Sequence, residues 1–111
     1  MLIAAVMEPL TLAMVEKFSA SRFWDQVRRY DVTHIHYLGG VLPLLLKQPG
    51  SPLDRDHKVR MAWGGGCPVD VWRAFEQRFG VVLREGYGLS EMTTFVTINP
   101  EGRLGSCGRP L

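Results

Sequence analysis

Apolar and polar positions along this chain fall into short blocks of changing period, punctuated by glycine and proline. Phe23, Trp24, Val27 and Tyr30 recur at helical spacing. Ser19-Ala20-Ser21 supplies N-cap hydroxyls before them, and Asp25 lies early and Arg28-Arg29 late, as the helix dipole favours. A helix is predicted over 20–30. Thr33 to Leu38 alternates and is rich in β-branched and aromatic residues, which predicts a strand ended by Gly39-Gly40. Val41 to Lys47 reads as a buried helix with Pro43 in its first turn. Pro49 to Pro52 breaks the chain, and Leu53 to His57 reads as a polar surface link.

Lys58 to Trp63 is the next predicted strand and runs straight into Gly64-Gly65-Gly66. Trp72, Phe75 and Phe79 then repeat on one helical face, with Pro68 suited to the first turn and Gly80 to the C-terminal cap, so a helix is predicted over 69–79. Val81-Val82-Leu83 reads as a buried strand leading into Glu85-Gly86-Tyr87-Gly88-Leu89-Ser90-Glu91. Met92 to Ile98 is β-rich and extended, Asn99 to Gly102 is a turn, and Arg103 to Pro110 is a glycine-rich loop. Residues 1–18 are mostly apolar. Leu10, Leu12, Met14 and Phe18 permit a strand there, although Met and Ala suit a helix equally.

A chain of 111 residues is one domain or part of one, large enough to bury roughly two thirds of its surface. With 46% apolar and 22% charged residues the composition is that of a globular protein. A net charge of +2 gives no electrostatic case for nucleic acid. Cys67 and Cys107 lack metal-ligand spacing, which suits a reduced, cytoplasmic setting. Met1 to Met7 has neither the basic start nor the cleavage pattern of a signal peptide, and it is shorter than the ~20 residues of a membrane span. It reads as a buried strand or helix of a larger domain.

The Glu85–Glu91 stretch places an aromatic ring, bare backbone at Gly86 and Gly88, a hydroxyl and a carboxylate at the C-terminal end of a strand, where ligands sit in open α/β sheets. On spacing alone, a plain strand and glycine turn stays open. His34 and His36 point the same way on a strand, yet no third metal ligand lies nearby in sequence. Cys67 near a helix start invites a nucleophile reading. Arg28-Arg29 reads as a solvated face.

Tyr87-Gly88-Leu89-Ser90-Glu91 resembles the Tyr-Gly-x-Thr-Glu core motif of the adenylate-forming enzymes. Gly64-Gly65-Gly66-Cys67-Pro68 resembles that family's small-residue loop beside the adenine, and Gly105-Ser106-Cys107-Gly108-Arg109-Pro110 its Gly-Ser-x-Gly-x-Pro segment. The likeness runs from about Phe18 to Leu111 and points to the acyl-CoA synthetase branch, including ligases of the crotonobetaine/carnitine-CoA type.

The resemblance implies an α/β fold, with a mostly parallel sheet and helices packed on it, forming residues 1–111 as the central portion of an AMP-binding domain. It implies ATP or AMP, Mg²⁺ and coenzyme A, with a small-molecule carboxylic acid as substrate. Tyr87 would lie along the adenine, and Gly65, Gly66, Cys67, Glu85, Gly86 and Gly88 would border the nucleotide. Ser90 would donate to the α-phosphate; the usual residue is Thr, and Ser lacks the methyl that restricts its rotamer. Glu91 would ligate Mg²⁺. His36, Tyr37, Leu38 and Gly39 would wall the acid's pocket.

These residues contain no Thr-Ser-Gly-Thr-Thr-Gly-type phosphate loop, no downstream Thr-Gly-Asp for the ribose and no C-terminal catalytic lysine segment. The chain is therefore expected to be a fragment that adenylates nothing alone. Exposed edges of a cut sheet are expected to favour self-association. The rival readings are a non-catalytic nucleotide-binding module and a structural α/β domain whose glycines only make turns.

Overall fold

The computed structural model describes residues 8–92 and 94–111. The element read in 1–7 lies outside the described residues. Helix α1 (Phe23–Arg29) precedes strand β1 (His34–Leu38) and helix α2 (Val41–Leu46). Strand β2 (Met61–Gly65), helix α3 (Val69–Phe79) and strand β3 (Val82–Leu89) follow. A 3₁₀ turn (Ser90–Met92) leads to β4 (Thr94–Ile98), and β5 (Arg109–Pro110) closes the sequence of elements.

The sheet has the order β1-β2-β3-β4-β5. β1, β2 and β3 pair in parallel, with His34 opposite Met61 and Met61 opposite Val82. β4 and β5 add antiparallel to that parallel centre. Helices connect the parallel strands, as crossover connections require. Ile35 and Tyr37 on β1, Ala62 on β2 and Leu83 on β3 are buried. They join Trp72, Phe75 and Phe79 of α3, Leu42 and Leu45 of α2, and Trp24 and Val27 of α1 in one core. Phe79 anchors it, with ring centroids 4.7 Å from Phe75 and 4.6 Å from Trp24. His36, Leu38 and Trp63 face away from this core, and His36 and Leu38 are exposed.

Several boundaries differ from the sequence reading. The Ser19 and Ser21 hydroxyls bond each other at 3.2 Å instead of capping α1, whose N-cap is Arg22 without a side-chain bond. The strand predicted over 58–63 is displaced to Met61–Gly65, because the glycines continue pairing and do not end it. Pro68 is extended (ψ 146°) and caps α3 from outside its first turn. Residues 8–18 form no helix or strand, and Leu10 and Met14 are exposed. His57 leaves the surface link to stack on Trp24 at 4.7 Å, with Nε2 donating to the Phe79 carbonyl and Nδ1 accepting from the Val59 N–H. The α3 boundary holds at Gly80, a C-cap in the left-handed region (φ 68°).

Arg78 fastens the polar link to α3. Its guanidinium donates to the carbonyls of Leu46 (2.8 Å), Gln48 (2.9 Å) and Pro49 (2.8 Å), and pairs with Asp54 at 2.8 Å. One planar donor group thereby satisfies the exposed carbonyl end of α2 and the turn after it. The Arg78 hydrogen bond holds the Asp54 carboxyl below its ordinary range. A depressed folded value contributes stability that is complete above the unfolded range near pH ~4 and is lost as pH falls through the folded value. Urea midpoints should therefore fall more steeply below pH ~4 for the native chain than for Asp54→Asn. Parallel pH profiles would contradict this.

Candidate functional site

At the carboxyl ends of β2 and β3 the backbone is bare on both sides. β2 finishes in Gly64-Gly65, Gly66 turns away in the left-handed region (φ 78°), and Cys67-Pro68 enters α3. Gly64 is paired with Glu85, so β3's Glu85-Gly86-Tyr87-Gly88 runs directly alongside. Two contacts show why side chains are excluded there. A Cβ on Gly64 would stand 1.9 Å from the Tyr37 carbonyl oxygen, and one on Gly39 2.1 Å from that of Gly66. Only glycine permits these approaches.

Between these segments lies an open cleft of about 590 Å³, lined by Gly64 to Pro68 and Glu85 to Gly88, with His36, Leu38, Phe95, Gly105 and Cys107. Glu85 is a nearly buried carboxylate (8% exposed) whose Oε1 accepts from the Cys67 N–H at 2.6 Å. This charge-assisted bond fixes the glycine turn against β3. Tyr87 is half exposed at the rim. Burial, followed by the nearby Glu85 charge, pushes the Cys67 thiol up to about 12. A thiol held protonated is a poor nucleophile, so Cys67 contributes backbone and small volume.

The acid-pocket candidates separate. His36 and Leu38 line the cleft, where desolvation lowers His36 below its ordinary pKa and its ring meets Trp63 edge-on at 5.0 Å. Tyr37 points the other way. It is fully buried, its hydroxyl donates to the Arg84 carbonyl at 3.3 Å, and burial raises it far above the usual phenol range. Gly39 supports the turn through its contact with Gly66 and does not line the cleft. Ser90 and Glu91 sit exposed in the 3₁₀ turn that follows β3, beyond the cleft's lining. Among the described residues, no three His, Cys, Asp or Glu side chains gather as a metal cluster.

Sequence reasoning missed Phe95, a lining residue with no signal beyond its place in an extended run, and Asn99, which it read as a turn residue. A second cavity of about 290 Å³ opens on the sheet face away from the helices, walled by Met61, Trp63, Phe95, Ile98 and Pro100. It shares Gly64, Glu85, Gly86 and Phe95 with the main cleft.

The model of the AMP-binding enzyme family matches residues 1–111. The chain belongs to the AMP-binding enzyme family. The human long-chain fatty acid transport protein 1 is 43% identical over 100 residues, 89% of this chain and 15% of that protein. Rat long-chain fatty acid transport protein 2 is 42% identical over 99 residues, covering 89% and 16%. The chain thus spans about 15% of the length of such relatives. Among solved structures, Bacillus subtilis o-succinylbenzoate CoA synthetase, in complex with its acyl-adenylate intermediate, superposes with a TM-score of 0.79 at 26% identity, covering 99% of this chain and 23% of that one. A benzoate CoA ligase from Burkholderia xenovorans shares the fold, with a TM-score of 0.77 at 22% identity over 86% of this chain and 20% of that one. Among the described residues, no helix is long and apolar enough to cross a membrane.

The two thiols differ in a way chemistry can read. Cys107 is exposed and Cys67 is buried and protonated. Ellman's reagent near neutral pH is expected to titrate one thiol in the folded chain, and Cys107→Ser to abolish that reaction. Rapid labelling of Cys67 in the folded Cys107→Ser chain would contradict the assignment.

Proposed function

We propose that the chain is the central portion of the AMP-binding domain of an ATP-dependent acyl-CoA synthetase, and that its cleft holds the adenylate. The observation that carries this reading is the convergence of Gly64–Cys67 and Glu85–Gly88 on one bare-backbone cleft. A purine is flat and needs close backbone approach, which Gly65, Gly66, Gly86 and Gly88 permit. Tyr87 at the rim offers a ring face to the base. Glu85 is an acceptor-only group when ionised, and it suits the exocyclic amine of adenine.

The reaction proposed for the whole enzyme has two steps. A carboxylate oxygen attacks the α-phosphorus of ATP, pyrophosphate leaves, and an acyl-adenylate results. The thiol of coenzyme A then displaces AMP to give the thioester, with its contacts mostly outside this chain. Ser90, in the turn just beyond the cleft's lining, would donate its hydroxyl to the α-phosphate. Glu91 would hold Mg²⁺, a cation that commonly takes one or two carboxylates alongside substrate phosphates and water. The ion would offset the phosphate charge during displacement. A single exposed carboxylate in the 3₁₀ turn after β3 fits that donor set.

His36 and Leu38 form the near wall for the acid, and Tyr37 and Gly39 act behind it through packing. The apolar cavity walled by Trp63 and Phe95, together with relatives named as fatty acid transport proteins, supports a fatty acid as that substrate. We extend the reading to a cytoplasmic location and to self-association through exposed sheet edges.

Calorimetric titration tests the nucleotide assignment. AMP is expected to bind without metal, and Tyr87→Ala to weaken it by about 1–3 kcal/mol, the usual value of an aromatic–base stack. Mg²⁺ is expected to tighten ATP but not AMP, and Glu91→Gln to remove that increment. Metal-independent ATP binding unchanged by Glu91→Gln would favour a non-catalytic nucleotide module instead.

A further inference from the structure

We propose that Thr97 and Asn99 are positioning residues that latch the 103–108 loop in place as the far wall of the nucleotide cleft. The loop contributes Gly105 and Cys107 to that wall. It has no helix or strand of its own before Arg109, so side chains elsewhere must fix it. Two residues at and just beyond the end of β4, spaced i, i+2, provide that anchorage.

Asn99 is 2% exposed, and its side-chain amide is fully used. Nδ2 donates to the carbonyls of Arg103 (2.7 Å) and Ser106 (2.8 Å), and Oδ1 accepts from the Arg103 N–H (2.9 Å). Its backbone N–H donates to the Glu85 carbonyl at 2.8 Å. The Thr97 Oγ1 accepts from the Tyr87 N–H at 3.2 Å and donates to the Cys107 carbonyl at 2.8 Å. Each latch residue thus bonds β3 on one side, at Glu85 or Tyr87, and the loop on the other. At its tip the loop leans on α3, where a Cβ on Gly105 would stand 3.3 Å from Val69 Cγ2.

The energetics favour a specific role. A buried amide with every donor and acceptor satisfied fixes a geometry, and losing one partner leaves a costly orphan. Asn99→Asp is the informative variant. Its carboxylate would face the Arg103 and Ser106 carbonyls without a proton to give, and protonation would restore one donor. Thr97→Val keeps the volume and removes only the hydroxyl.

The proposal rests on the nucleotide reading of the cleft, so two readouts separate them. The rate at which Cys107 reacts with Ellman's reagent reports the loop without nucleotide, and AMP affinity reports the cleft. Thermal unfolding first establishes that each variant folds. Asn99→Asp is expected to change the Cys107 rate and weaken AMP about tenfold at pH ~8, with partial recovery towards pH ~5 that the native chain does not show. Thr97→Val is expected to change the rate and weaken AMP by about threefold to tenfold at all pH values. If Asn99→Asp does not fold, Thr97→Val decides the question.

Folded variants with native Cys107 rates overturn the latch. Altered rates with native AMP affinity overturn the loop's role as a cleft wall. If the native chain binds no AMP, the nucleotide reading falls and with it the cleft role. Cys107 rates then still decide whether the two residues hold the loop.

Discussion

Backbone crowding at the ends of β1 and β2 is the constraint on which the rest of this molecule depends. Tyr37 and Gly64 lie opposite each other in the parallel pair, and the Tyr37 carbonyl occupies the space a Cβ on Gly64 would need. The Gly66 carbonyl likewise fills the space beside Gly39. With no side chains between them, β2 can pair to its very end before the chain turns. That late turn delivers Cys67 to the Glu85 carboxylate, and the 2.6 Å bond between them joins the glycine turn to β3. A methyl group at Gly64 would push the strands apart and remove the cleft along with the packing.

The arrangement divides labour between the two faces of one sheet. The helix-covered face carries the cohesion, through Trp72, Phe75 and Phe79 against Ile35, Ala62 and Leu83. The other face carries His36, Trp63 and Phe95 in an aromatic row, with centroid separations of 5.0 and 5.2 Å. Period-two alternation along β1 sends Ile35 and Tyr37 to the first face and His36 and Leu38 to the second. In the proposed reading, recognition falls to main-chain atoms and to groups at strand ends, which the parallel centre positions.

Much of this was legible in the chain itself, because the informative signals were local. The Trp72, Phe75, Phe79 spacing and Gly80 give α3 to its last residue. The alternation over His34–Leu38 gives β1, and the glycine-rich segments mark the turns. What escaped was set by tertiary partners. Local sequence does not reveal that Gly64-Gly65 stays in the ladder, since glycine usually breaks strands and only the neighbouring strand's register keeps it there. Grouping Tyr37 with His36 as a pocket wall overlooked strand parity, which turns adjacent residues to opposite faces. Asn99 looks like any turn residue until the loop it holds is folded beside it. The leading apolar residues 8–18 carry composition without a decisive period, and the structure gives them no regular element.

The most direct test of the account is an amide NMR titration of the isotopically labelled chain with AMP. Saturable shifts concentrated at Gly65, Gly66, Cys67 and Gly86 to Gly88, with the Trp72–Phe79 helix core unmoved, are the predicted result. Saturating AMP that leaves those amides unmoved, or that perturbs only residues remote from the glycine turn, would contradict it.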